Sequence, residues 1–85
     1  MYNVTRGQTE VLDVLGPAPK QIAFQTRQTS GNRLLVSLAE AIPLDTAVKI
    51  VRDGALFLGE VTGCWQDSPG TVFAVVELSQ YLSPA

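Results

Sequence analysis

The stretch Val48-Lys49-Ile50-Val51-Arg52-Asp53-Gly54-Ala55-Leu56-Phe57-Leu58-Gly59-Glu60-Val61 sets two β-rich apolar runs on either side of Asp-Gly. Both central residues tolerate positive φ, so the turn can twist with the strands it joins, and Asp-Gly between such runs is the strongest short-range hairpin signal a sequence carries. The spacing therefore predicts strands over Ala47 to Arg52 and Ala55 to Trp65. Gly59 and Gly63 fall inside the second strand, where glycine marks a bulge or a bend of the kind a closing sheet needs.

Outward from this hairpin the pattern stays β. Thr71 to Leu78 alternates, with Val72, Ala74, Val76 and Leu78 on one face and Phe73, Val75 and Glu77 on the other. Gln66-Asp67-Ser68-Pro69-Gly70 supplies the turn before it. Upstream, Arg33 to Leu38 places Leu34, Val36 and Leu38 on one face, and Gln21 to Arg27 alternates around Ile22 and Phe24. Gln28 to Asn32 joins these two as a turn, with Gly31 and Asn32 the residues that best tolerate left-handed backbone. Gln8 to Leu15 reads as a strand, with a short helix from Thr9 to Leu15 as the competing reading, and Pro17 and Pro19 end it. Ala39 to Thr46 has no strand period, and Pro43 forbids a regular ladder there. Ile42 and Leu44 are expected to plug one end of the domain. Five or six short strands with no long helix point to a small barrel or sandwich, and closure, which hides edges most economically at this size, favours a six-stranded antiparallel β-barrel. The expected domain spans residues 8–82, preceded by a flexible arm from Met1 to Gly7.

Composition narrows the function. The chain has 85 residues, 46% of them hydrophobic and 16% charged, with a net charge of −2. Charge is low against about 25% in an average soluble protein, so the surface is poor in charge and suited to a partner or to a Thr- and Gln-rich solvated face. The six basic side chains are scattered, which argues against nucleic acid, since phosphate binding needs clustered Lys and Arg. No stretch has signal-peptide or membrane length, and the single cysteine, Cys64, cannot close an internal disulfide. A cytoplasmic protein that needs no oxidation and no membrane is the expectation.

Chemistry-bearing groups are few. There is no histidine, so the commonest general base and metal ligand are missing, and neither a metal nor another cofactor is expected. Cys64 between Gly63 and Trp65 reads as a small half-buried hydrophobe. The carboxylates are expected to stand apart, with Asp53 and Asp67 as turn formers. No catalytic residue is assigned, and the chain is expected not to be an enzyme. Trp65 reads as a core or core-edge anchor.

The order of pieces from Ile42-Pro43-Leu44-Asp45-Thr46-Ala47-Val48-Lys49-Ile50 through Asp53-Gly54, Leu58-Gly59-Glu60-Val61 and Cys64 to the strand Val72–Leu78 resembles the second half of a PilZ domain. That family has a "plp-x-gt-x-V-x-l" lead-in, a hairpin, an "l-x-G-x-V" strand and a closing strand of the type "aromatic-x-v-G-v-e-l". The resemblance runs from about Leu34 to Leu82, and it rests on order and spacing. It implies a six-stranded barrel, a bacterial signalling role and, in many members, binding of cyclic di-GMP through an "R-x-x-x-R" arm and a "D/N-x-S-x-x-G" turn. Here the arm offers Arg6 alone, with Glu10 where the second arginine would fall. The turn reads Arg27-Gln28-Thr29-Ser30-Gly31-Asn32 with no Asp or Asn to open it. Val75 stands where the closing strand would have glycine.

These departures predict a degenerate PilZ-like module that does not bind cyclic di-GMP and acts through a protein partner or self-association. Phe73 and Val75 are its candidate interface residues, unless the arm or Tyr81-Leu82 covers them. The alternative is an anionic-ligand site, a cyclic dinucleotide for example, built from Arg6, Arg27, Ser30, Gly31, Asn32 and Arg33. A purely structural, dimerising barrel is the third reading.

Overall fold

A computed structural model describes residues 9–83. Six antiparallel strands, β1 (Glu10–Val14), β2 (Lys20–Ser30), β3 (Arg33–Leu38), β4 (Ala47–Arg52), β5 (Ala55–Ser68) and β6 (Thr71–Leu82), close into a barrel in the order β1-β2-β3-β6-β5-β4. Helix is absent from the described residues. None of them forms a helix long and apolar enough to cross a membrane. The arm from Met1 to Gly7, and Arg6 with it, lies outside the described residues.

Alternation builds the core. Leu12, Ile22, Phe24, Leu34, Val36, Leu38, Val48, Ile50, Val61, Ala74 and Val76 all turn inward and are buried, as period 2 requires when one face of every strand meets a common interior. Burying a side chain of this size stabilises by about 1.5–3 kcal/mol, so these strands hold the fold. The predicted Asp53-Gly54 turn is a two-residue hairpin closed by Arg52 opposite Ala55, with φ of 54° and 80° at its two central residues. Positive φ at both is the twist-compatible type I′ geometry.

The ends of the barrel are closed differently. At one end Ile42 is the plug, only 3% exposed, while Leu44 is 59% exposed. The expected second plug is thus corrected: Asp45 has φ of 67°, and its N–H bonds the carbonyl of Val61, a tight corner that leaves Leu44 outside. At the other end Arg52 donates from Nε and Nη2 to the two carboxylate oxygens of Glu10, at 2.9 and 2.6 Å, and from Nη2 to Thr26 Oγ1 at 3.3 Å. The Glu10 hydrogen bond raises the Arg52 guanidinium above its ordinary pKa, against a smaller lowering by burial.

Several strands run further than alternation suggests. β2 reaches Ser30, so its turn is Gly31-Asn32 alone, and β5 reaches Ser68, so its turn is Pro69-Gly70. β6 continues to Leu82, with Tyr81 opposite Phe57 and Leu82 opposite Leu56. β1 forms a strand and not the competing helix.

Candidate functional site

The outer face of β3, β6 and β5 is fixed by what faces inward. Leu34, Val36 and Leu38 are buried, so Arg33, Leu35 and Ser37 project outward from β3; Ala74 and Val76 are buried, so Phe73, Val75 and Glu77 project from β6. In β5 the register shifts between Val61 and Gly63, which inserts Thr62 as an extra residue. A one-residue slip exchanges the faces of everything beyond it. Val61 is inside, Cys64 packs against the core, and Gly63 and Trp65 come outside.

This slip overturns the core assignment of Trp65. The indole is 46% exposed and stacks on Phe73, ring centroids 6.0 Å apart and planes 28° from parallel. Continuing the alternation of Val61 straight through Gly63 would have put it inside. The signal that could have found it was Gly63 itself, once the predicted bulge was used to reverse the parity of the residues after it.

Cross-strand pairing arranges the face in rows. Gln25, Ser37, Phe73 and Trp65 form one; Gln28, Leu35, Val75 and Gly63 form the next; Ser30, Arg33, Glu77 and Glu60 form the third. Phe73 and Val75 are half-buried, and Tyr81 and Leu82 do not cover them, because these lie beside Phe57 and Leu56 near the Asp53-Gly54 end. Gly63 leaves the middle row flat: a Cβ there would stand 3.8 Å from both Trp65 Cζ3 and the Val75 side chain. The centre of the face is therefore apolar and aromatic, with a polar margin.

The candidate anion residues sit on that margin and are engaged within the chain. Arg27, the extra residue of a bulge between Thr26 and Gln28, donates from Nε to Ser37 Oγ at 3.1 Å. Arg33 Nε stands 3.9 Å from Glu77 Oε2, and its side chain is 65% exposed. Ser30 pairs with Arg33 across the turn, and Gly31 takes φ of 60°. Asn32 ties the turn to β6: its carbonyl accepts from Leu78 N at 2.7 Å, and its Nδ2 donates to Leu78 O at 3.1 Å. Both amino-acid types at the tip thus have a fold-forming explanation.

Glu10 turns inward onto Arg52. The expectation of isolated carboxylates is corrected at one place, since Glu60 and Glu77 are direct cross-strand partners. A separate cavity of about 260 Å³ opens at the Ile42 end between Pro17, Ala18, Ala41 and Pro43, with the Lys20–Glu40 ion pair at its rim. Among the described residues no group of His, Cys, Asp and Glu is placed to hold a metal ion. Comparison with protein-family models, with curated proteins and with solved structures finds no match to this chain.

Proposed function

We propose that this chain is a non-enzymatic, PilZ-like adaptor of the cytoplasm that works through protein contacts made by the outer face of β3, β6 and β5. The observation that carries this reading is the exposed Trp65 stacked on Phe73 beside Val75, Leu35 and the flat Gly63. Aromatic anchors with an apolar centre and a polar margin are the usual composition of a binding surface. The family likeness rests on the order of motifs described above, and cyclic di-GMP is not the ligand in this reading. Arg33 stands beside Glu77 and Arg52 is paired with Glu10, so of the two described candidate arginines only Arg27, hydrogen-bonded to the neutral Ser37, offers uncompensated positive charge to a phosphate.

Two measurements test it. Calorimetric titration with cyclic di-GMP is expected to give no binding heat, and a micromolar dissociation constant would return the anionic-ligand reading to the front. A photo-crosslinking residue at position 65, in cells of the source organism, is expected to trap a discrete protein; the same group at the exposed Thr29 is not. Loss of that adduct in Phe73→Ser with the fold intact is the expected signature. Equal trapping at both positions would sink the assignment of this face.

A further inference from the structure

β5 outruns its partner on one side. Ala47, the first residue of β4, lies opposite Glu60, and only Asp45 and Thr46 reach further, to the backbone of Val61. Among the described residues no strand pairs with Thr62–Ser68 on the side away from β6. The direction of the free groups follows from alternation. Leu78 donates its N–H towards β3, so Glu77, Val75 and Phe73 turn theirs to β5, and their partners Gly63 and Trp65 point back at β6. The N–H and C=O of Cys64 and Gln66 are left facing outward.

The free edge of β2 is protected in a way this one is not. β2 beyond Phe24 carries the charged, bulged Arg27. Thr62 to Gln66 contains neither charge nor proline. Charge and proline are among the devices that keep an edge from pairing.

We infer that this edge is filled by a second copy of the chain, paired antiparallel about a two-fold axis through Trp65. The inference rests on the interaction reading above and names its partner. In that register Cys64 exchanges backbone hydrogen bonds with the partner's Gln66, and Gln66 with the partner's Cys64. Trp65 meets the partner's Trp65 as a non-hydrogen-bonded pair, where strands bring side chains closest. The Phe73–Trp65 stack then continues across the axis into its mate. Gly63 lies diagonal to the incoming indole, on the flat part of the face, and opposite the partner's Asp67, so the two Asp67 carboxylates end far apart. Register shifts on either side, at Val61/Gly63 and Gln66/Ser68, limit the pairing to this short stretch. Two-fold pairing uses both edges and closes, giving a dimer and not a fibre. A strand pairing this short makes a small interface, so the dissociation constant is expected in the micromolar range.

Sedimentation equilibrium across a concentration series reads the association directly. The wild-type chain is expected to dimerise, and Gln66→Pro to weaken the dimer by about 10- to 100-fold, since it removes two of the four hydrogen bonds by deleting an N–H that the monomer leaves unpaired. Circular dichroism checks that the barrel survives. Independently of that variant, Trp65→Lys and Trp65→Glu should each be monomeric alone and form a one-to-one heterodimer when mixed, because position 65 faces itself only on the axis. A wild-type chain that stays monomeric to about 1 mM, an undiminished dimer in a folded Gln66→Pro, or no heterodimer in the mixture overturns the inference. A monomeric wild type that still traps a foreign protein at position 65 overturns the dimer alone. A dimer with no foreign adduct retains the dimer and removes the adaptor.

Discussion

Gly59 and Gly63 occupy the same strand under opposite constraints. A Cβ on Gly59 would stand 2.5 Å from the carbonyl oxygen of Glu77 and 3.1 Å from Leu78 Cα, both backbone atoms that cannot swing aside. Gly59→Ala must push β5 off β6, and overpacking of this kind is expected to cost about 1–3 kcal/mol in urea unfolding. At Gly63 the nearest atoms would be 3.8 Å away, in ordinary contact, and the backbone does not need positive φ. Gly63→Ala is expected to leave stability unchanged or raise it by about 0.4–1 kcal/mol through the unfolded chain. Equal losses at the two sites would mean that close strand approach is not what Gly59 provides. Both glycines were legible as bulge markers in β5, but the sequence holds nothing that separates the crowded one from the open one, because the crowding depends on the register in which β6 folds back on β5.

At the scale of the element, inward alternation and turn chemistry could be read, and register could not. The β4–β5 hairpin follows directly from Asp53-Gly54, whose positive φ values fix Arg52 opposite Ala55. The β5–β6 hairpin shifts register in three places, between Leu58 and Gly59, Val61 and Gly63, and Gln66 and Ser68. Each shift depends on how two strands fit against the core, so the meeting of Glu60 with Glu77 was hidden in the sequence, and the outward turn of Trp65 was open only to a reading that let the Gly63 bulge reverse the parity after it. The exposed stack and the open edge of the candidate site descend from those shifts, whereas Phe73 and Val75 were visible from the period of β6 alone. The Glu60–Glu77 pair is an unfavourable juxtaposition, since like charges directly opposite in a sheet repel, and among the described residues only Arg33, at 3.9 Å from Glu77, offsets it. Glu60→Thr replaces one charge by a good strand former and is expected to gain about 0.5 kcal/mol, or about 2–4 °C in Tm for a domain this small. The gain should shrink in high salt, which screens the repulsion removed. A loss of stability at low salt would show that Glu60 has a favourable partner.

At the scale of the whole molecule, the barrel is closed by unequal seams. β5 and β6 pair along most of their lengths, and β3 pairs with β6 from Arg33–Glu77 to Leu38–Val72. The closing seam is shorter: β1 meets β4 only at Leu12–Ile50, Asp13–Lys49 and Val14–Val48, extended by the bond from Leu15 N to Ala47 O at 2.9 Å. Two ion pairs cross it among the described residues: Lys49 with Asp13 at 3.8 Å, which is partly solvated and contributes little, and the two-point Arg52–Glu10 pair at 2.6 Å, which ties the strand ends beyond the last paired residues. Leu12 holds β1 in place, being fully buried in the core. Local opening follows the least-supported backbone, so β1 should swing away from β4 at a lower free energy than is needed to unfold the β3–β6–β5 sheet. Native-state hydrogen exchange in increasing urea reads this directly. Amides of β1 are expected to exchange about 1–3 kcal/mol below those of Val36 and Val76, with a shallow urea dependence that joins the steep global line only near the unfolding midpoint. Leu12→Ala should widen that gap, because it removes the main apolar anchor of β1 while leaving the larger sheet intact. If β1 and β6 amides instead fall on one line at every urea concentration, the short seam opens only when the entire barrel does, and closure through β1 is as cooperative as the core itself.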